Sequence, residues 1–246
     1  ARHVAAETIK LMVQRGLADS RERAQRLIRA GMVKVAGQPA GKPGHTYPAD
    51  AVLDLEAPER FVSRGGEKLE GAFLHFQLSV QDEICLDAGA STGGFTDCLL
   101  QHGARRVYAV DVGHHQLHAK LVNDPRVVVM DGVNARHLKP SHFPDAPTFD
   151  TVDASFISLR LLLPALVSVL APGGRLVTLI KPQFEAGPAD VGQGGVVRNP
   201  AVHERVIQEV KQAGERLPGL QWQGVCTSPL RGPAGNVEYL AYWKLT

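Results

Sequence analysis

The chain has 246 residues, 44% of them hydrophobic and 21% charged, with a formal net charge of +2. That is enough to bury one good-sized core and a smaller appended module, which excludes disorder as the dominant state. No apolar run approaches membrane-spanning length, because the strongest, from Leu159 to Ala171, contains Arg160 and Pro164, and no signal-peptide pattern opens the chain.

The charge is unevenly placed. Residues 1–68 hold 12 Lys/Arg against 8 Asp/Glu, an excess of +4, and residues 69–246 hold 15 against 17, a balance of −2. A basic front favours a polyanion docked by the N-terminal segment; the bland alternative is a solvated face. Cys85, Cys98 and Cys226 are odd in number and scattered. Neither a disulfide framework nor a metal site is expected, and a reducing cytoplasm fits.

In chain order, the first segment reads as two helices and a small sheet. Ile9, Leu11, Met12 and Val13 precede a break at Gly16. A second helix starts at Asp19, which caps it while Glu22 reaches back. Ala24, Leu27 and Ile28 give its core stripe, Gly31 ends it, and Arg23, Arg26 and Arg29 recur every third residue on another face. Val33-Lys34-Val35, the turn residues Gly37, Pro39, Gly41 and Pro43, and then Val52, Leu53 and Leu55 predict short strands. The division expected is a module over residues 1–58, a linker over 59–68 and a larger domain over 69–246.

From Ile84 strands and helices alternate. Strands are predicted at Ile84–Ala88, Arg106–Val112, Val127–Met130, Phe149–Ala154 and Arg175–Ile180, with helices at Phe95–His102, His115–Val122 and Leu159–Leu170. A last helix over Val202–Leu217 and two strands near Leu220–Cys226 and Val237–Lys244 follow. The fold class is α/β, a Rossmann-like domain with a seven-stranded, mostly parallel sheet. The polar stretch Gln183–Pro200 follows a strand at the carboxyl edge, where such sheets bind ligands.

Between the first strand and its helix lie Asp87, Ala88, Gly89, Ala90, Ser91, Thr92, Gly93, Gly94 and Phe95. A dinucleotide fingerprint requires Gly-x-Gly-x-x-Gly, and here Ser91 takes the middle glycine's place, which argues against a dehydrogenase. An acid two places before the first glycine suits a ligand with an amino group and a sulfonium, as in S-adenosylmethionine. Asp111, beside Val112 at the end of the second strand, is placed for ribose hydroxyls, and Asp131 after the third for an adenine amine.

Asp153, Lys181 and Glu238 lie at the ends or start of three other strands and can converge on the same edge; Lys68, in the connector from Val62 and next to the N-terminal module, can be drawn into the same crevice. Each alone reads as a surface ion pair. Together they suit removal of a proton from a ribose hydroxyl, because a desolvated lysine beside a second cation gives up its proton more readily while carboxylates orient it. Neither an Asn-Pro-Pro-Tyr-like run nor a Cys-Pro pair appears, so oxygen is favoured over a base nitrogen as acceptor. His114, His115 and His118 read as a solvated helix start, and Trp222, Tyr242 and Trp243 as packing.

These residues together resemble the TlyA family of ribosomal RNA 2′-O-methyltransferases, also called haemolysins. The resemblance runs from Arg15 to Tyr242. It is carried by Gly16 through Arg21, Val62 through Gly66 with Lys68-Leu69, Asp87 through Cys98, Ser155 through Leu159, Ile180 through Glu185, and Gly232-Pro233 with Gly235-Asn236. It implies a catalytic tetrad of Lys68, Asp153, Lys181 and Glu238 with Lys181 as base, and S-adenosylmethionine as cofactor. It further implies an α-L RNA-binding module in which Arg21, Arg23, Arg26, Arg29 and Lys34, with Arg64 in the connector, contact RNA. The implied substrate is cytidine ribose in large-subunit rRNA, and in some members small-subunit rRNA. The family's usual Arg-Leu-Asp opening is replaced around Ala5-Ala6-Glu7-Thr8. Two other readings compete: an RNA-binding or ribosome assembly factor with a vestigial enzyme domain, and a membrane-active cytolysin. The absence of a spanning or strongly amphipathic basic segment argues against the second.

Overall fold

A computed structural model describes residues 5–56 and 60–246 of the chain. It divides into two compact units, Ala1–Arg60 and Phe61–Thr246.

The first unit opens with β1 (Ala5–Glu7), α1 (Thr8–Gln14) and α2 (Arg21–Arg29), followed by β2 (Val33–Val35), β3 (Gln38–Pro39), β4 (Thr46–Pro48) and β5 (Leu53–Leu55). Ile9 and Met12 of α1 pack on Ala24 and Ile28 of α2, with Val33 beneath them. The cap of α2 is Ser20 rather than Asp19: its hydroxyl accepts from the Arg23 amide at 3.1 Å, satisfying one of the helix's open donors. Strands β3, β2 and β5 form an antiparallel sheet. Val52, expected in it, stays outside with its side chain exposed, and only its carbonyl takes part, accepting from Ala36. The pairing of β1 with β4 was not expected from the pattern.

The second unit begins with a further unpredicted element, α3 (Gly65–Phe76). There follow β6 (Ile84–Ala88), α4 (Gly94–Gln101), β7 (Arg106–Asp111), α5 (Ala119–Val122), β8 (Val127–Asp131), β9 (Phe149–Val152), α6 (Leu159–Val169), β10 (Arg175–Ile180), α7 (Pro182–Glu185), α8 (Pro200–Glu215), β11 (Leu220–Thr227) and β12 (Tyr239–Leu245). The seven strands run in the order β11-β12-β10-β9-β6-β7-β8, parallel throughout except for β12, which is antiparallel to both neighbours. Strand order therefore reverses between β6 and β9, and the crevice outside their carboxyl ends is where such sheets take ligands.

Both faces are covered. Helices α3 and α4 pack over Cys85, Val107, Phe149, Val177 and Leu240; α6 and α8 pack over Leu86, Val110, Leu176 and Trp243. Trp243 is fully buried and donates to Thr178 at 3.1 Å, and Trp222 meets it edge to face. These tryptophans are packing, as the sequence indicated.

The helix expected over His115–Val122 shrinks to its last four residues. His115 has φ +56, and the loop before α5 spends its amides on the acids of the crevice instead.

Candidate active site

The loop from β6 to α4 wraps the switch point. Gly89 has φ +79, and a Cβ there would lie 2.1 Å from the Asp153 carbonyl oxygen; only glycine lets β6 pass so close to the end of β9. Ser91 and Thr92 form the exposed tip. Asp87 does not face the crevice. It is fully buried, accepts from Thr96 at 2.7 Å and more loosely from Thr151 at 3.5 Å, and burial pushes its carboxyl up to about 7. Phe95 likewise turns into the core on α4. These two shape the loop from behind.

Asp111 ends β7 half-buried, one oxygen accepting from the Ser91 amide and the other from the Gly113 amide, both at 2.8 Å. Asp131 ends β8 and accepts from the His115 amide at 3.1 Å. Val112 lies just past β7 with 68% of its surface open. Two half-open carboxylates flanking an exposed apolar side chain make a floor that fits a nucleoside: acceptors for hydroxyls and an amine, and an apolar face for a ring.

Across the switch point stand the four sequence-predicted reactive residues, as two ion pairs. Nζ of Lys181, at the start of α7, lies 2.5 Å from Oδ1 of Asp153 and 3.1 Å from the Ser155 hydroxyl. Nζ of Lys68, in the first turn of α3, lies 2.6 Å from Oε1 of Glu238, which is 1% exposed. Gly65 brings the start of α3 beside Asp153, since a Cβ there would be 4.0 Å from Oδ2. Glu185 closes the arrangement. Its carboxylate accepts from the Ser158 hydroxyl at 2.6 Å and the Leu159 amide at 2.8 Å, so the acid, at the end of α7, sits at the N-terminus of α6 and ties that helix start to the segment after Lys181.

Several residues at the rim, though they lie in the runs that carry the resemblance, were given no role of their own from the sequence. Phe156 has φ +64 and is 89% exposed, its ring 4.9 Å from that of Phe184. Lys181 lies over the Phe184 ring at 5.8 Å. An exposed aromatic in a left-handed backbone is held there at a cost, and such strain gathers at binding sites. Gln183 donates to the second oxygen of Glu238 at 3.0 Å. The nearby signal was the Lys181-Pro182-Gln183-Phe184-Glu185 run itself.

In the first unit, Arg23, Arg26 and Arg29 stand exposed on α2. Arg21 is shared with Glu7 at 3.4 Å and Lys34 pairs with Glu56; Arg64 is exposed at the start of α3. Among the described residues, one trio of metal-ligating type sits together, Glu70, Cys98 and His102, at the far end of α4 from the glycine loop. It is internally hydrogen-bonded, His102 to Glu70 at 2.6 Å and Cys98 to Glu70 at 3.6 Å. No helix among the described residues is long and apolar enough to cross a membrane.

Residues 61–245 match the FtsJ-like methyltransferase family, and residues 9–53 match the S4 domain. A Bacillus subtilis chain named as an rRNA methyltransferase, YqxC, is 48% identical, the match covering 94% of this chain and 83% of that one. The 16S/23S rRNA (cytidine-2′-O)-methyltransferase TlyA of Mycobacterium tuberculosis is 46% identical over 95% of this chain and 87% of its own. The solved structure of a hemolysin-named protein from Streptococcus thermophilus superposes with a TM-score of 0.75 at 44% identity, covering 99% of this chain and 90% of that one.

Proposed function

The chain belongs to the TlyA family of FtsJ-like methyltransferases, and from that premise we propose that it moves a methyl group from S-adenosylmethionine to a cytidine 2′-hydroxyl in ribosomal RNA. Large-subunit RNA is the principal substrate and small-subunit RNA a second. The observation that carries this reading is the Lys181–Asp153 pair, 2.5 Å apart, at the carboxyl edge where strand order reverses.

When bound, S-adenosylmethionine supplies a methyl group on a sulfonium, the electrophile for the ribose oxygen. Residues 89–93 line its approach, the Asp111 and Asp131 carboxylates accept from hydroxyls and amine, and Val112 offers its open apolar surface to the purine. Nζ of Lys181 takes the hydroxyl proton, and Asp153 holds that nitrogen in place and pairs with the ammonium that forms. Lys68 and Glu238, 2.6 Å apart, supply a second ordered ion pair. Holding oxygen and methyl in line supplies much of the acceleration.

The target nucleotide must leave its stack to reach this crevice, and the exposed Phe156 ring beside Phe184 is a surface on which an unstacked base rests. The S4 unit holds the RNA by phosphate contacts from Arg23, Arg26 and Arg29, with Arg21 and Lys34 contributing once Glu7 and Glu56 are displaced, and Arg64 of the second unit adds a contact by direct approach.

Radiolabelled methyl transfer to purified unmodified subunits, followed by alkaline digestion, tests the reading. A 2′-O-methyl group blocks cleavage of its own linkage, so the label is expected in alkali-stable dinucleotides from rRNA. Label in mononucleotide bases contradicts ribose as the acceptor.

A further inference from the structure

Gln183 stands two residues beyond Lys181 on α7 and touches the other ion pair. Its Nε2 donates to Oε2 of Glu238 at 3.0 Å, the oxygen that Lys68 leaves free, since Lys68 holds Oε1 at 2.6 Å. Glu238 is thus held at both oxygens, by a cation from α3 and by an amide that moves with Lys181. The space around the contact is closed. A Cβ on Gly232 would lie 2.5 Å from Oε2 of Glu238 and 3.5 Å from Nε2 of Gln183, and the Gly232 amide is itself tied to the Asn236 carbonyl at 2.9 Å in the turn leading to β12.

The other end of the same amide is the telling one. Oε1 of Gln183 is buried and has no hydrogen-bond partner among the described residues. Glu238 accepts only, so Nε2 has to face it and the acceptor end is left over. A buried polar atom kept without a partner marks a position where another requirement decides the orientation. Here that requirement is the grip on Glu238.

We propose that Gln183 is a positioning residue for methyl transfer, coupling the Glu238–Lys68 pair to the backbone segment that carries Lys181. The proposal rests on the methyltransferase reading above. Lys181 is set by Asp153 and Ser155, Lys68 is set by Glu238, and the spacing between the two cations is fixed because one short segment, residues 181–183, reaches both carboxylates. Without the amide, Glu238 keeps Lys68 but loses its register to Lys181.

Two substitutions separate this from a merely structural role. Gln183→Met keeps the length and removes the donor. Gln183→Glu keeps the shape and places a carboxylate against Glu238, and two carboxylates at that distance hold one proton between them. The shared proton rebuilds the bridge at low pH, and its loss at higher pH leaves repulsion.

The experiment measures kcat and KM on unmodified ribosomal subunits, with cofactor affinity alongside, for wild type and both variants between pH 6 and 9. The expected result for Gln183→Met is a kcat lower by roughly 10- to 100-fold, with KM and cofactor affinity within about twofold of wild type. For Gln183→Glu, activity relative to wild type is expected to fall as pH rises. Wild-type kcat in Gln183→Met, or a pH-independent ratio for Gln183→Glu, overturns the proposal and leaves the methyltransferase reading standing. No transfer by wild type takes down that reading and this proposal together. If Gln183→Met fails to fold, the pH trend of Gln183→Glu decides alone.

Discussion

Nζ of Lys68 and Oε1 of Glu238 meet at 2.6 Å across 170 residues of chain, the lysine side chain 10% exposed and the glutamate side chain wholly enclosed. A buried pair of this kind hardly adds to stability as a unit, because desolvation offsets its attraction, but removing one partner strands a charge. Lys68→Met and Glu238→Gln should each destabilise the second unit, with Lys68→Met costing about 3–5 kcal/mol. The double variant should be more stable than the sum of the two losses requires. Urea unfolding of the four proteins checks this; additive losses contradict a coupled pair.

Stability should also fall with pH through Asp87. Burial drives its carboxyl from the usual 3.8 up to about 7, the Thr96 hydroxyl pulling the other way. Above 3.8 the unfolded chain gives up this proton while the folded chain keeps it, so each pH unit favours unfolding until about 7, where both states are ionised. Wild type should therefore lose on the order of 4 kcal/mol relative to Asp87→Asn between pH 4 and pH 7. Burial raises Asp150 in the same direction, so that residue adds to the trend in both proteins equally. Parallel urea midpoints for wild type and Asp87→Asn across this range contradict the assignment.

The parallel strands were legible because a strand covered on both faces is a run of apolar residues, as in Ile84–Ala88 and Arg175–Ile180. The ends of those strands put Asp153, Lys181 and Glu238 at one edge by topology, and the connector offered Lys68 as a fourth; the resemblance of the chain to a family joined the four as a tetrad and singled out Lys181 as base. Helix α3 escaped because Gly65-Gly66 reads as a hinge. In the fold Gly66 is a packing glycine, where a Cβ would lie 2.3 Å from the Phe61 ring. Asp87 and Asp111 look alike in sequence, each an acid at or near a strand end, yet Asp87 is enclosed by Thr96 of α4 and Thr151 of β9, whereas Asp111 is half-buried and meets the loop amides of Ser91 and Gly113. Which way an acid points is decided by what packs over it, and spacing does not carry that. Phe156 and Gln183 were missed for a related reason: one is defined by its exposure, the other by a contact 55 residues away.

The arginines of α2 give an electrostatic expectation. Each phosphate contact on single-stranded RNA adds roughly 0.7 to the fall of log affinity with log salt. Replacing Arg23, Arg26 and Arg29 with Gln should weaken rRNA binding and flatten that slope by about 2, while the stability of the first unit changes little because all three side chains are exposed. An unchanged slope removes α2 from the interface.

The most direct test of the account is single-turnover methyl transfer from S-adenosylmethionine to unmodified ribosomal subunits by wild type and Lys181→Ala, with cofactor binding measured on both. Label is expected in rRNA with wild type, and with Lys181→Ala a rate lower by at least about 100-fold, as for loss of a general base, at equal cofactor affinity. Undiminished transfer by Lys181→Ala would contradict that role, because the proton of the ribose hydroxyl would then leave by a route in which Lys181 takes no part.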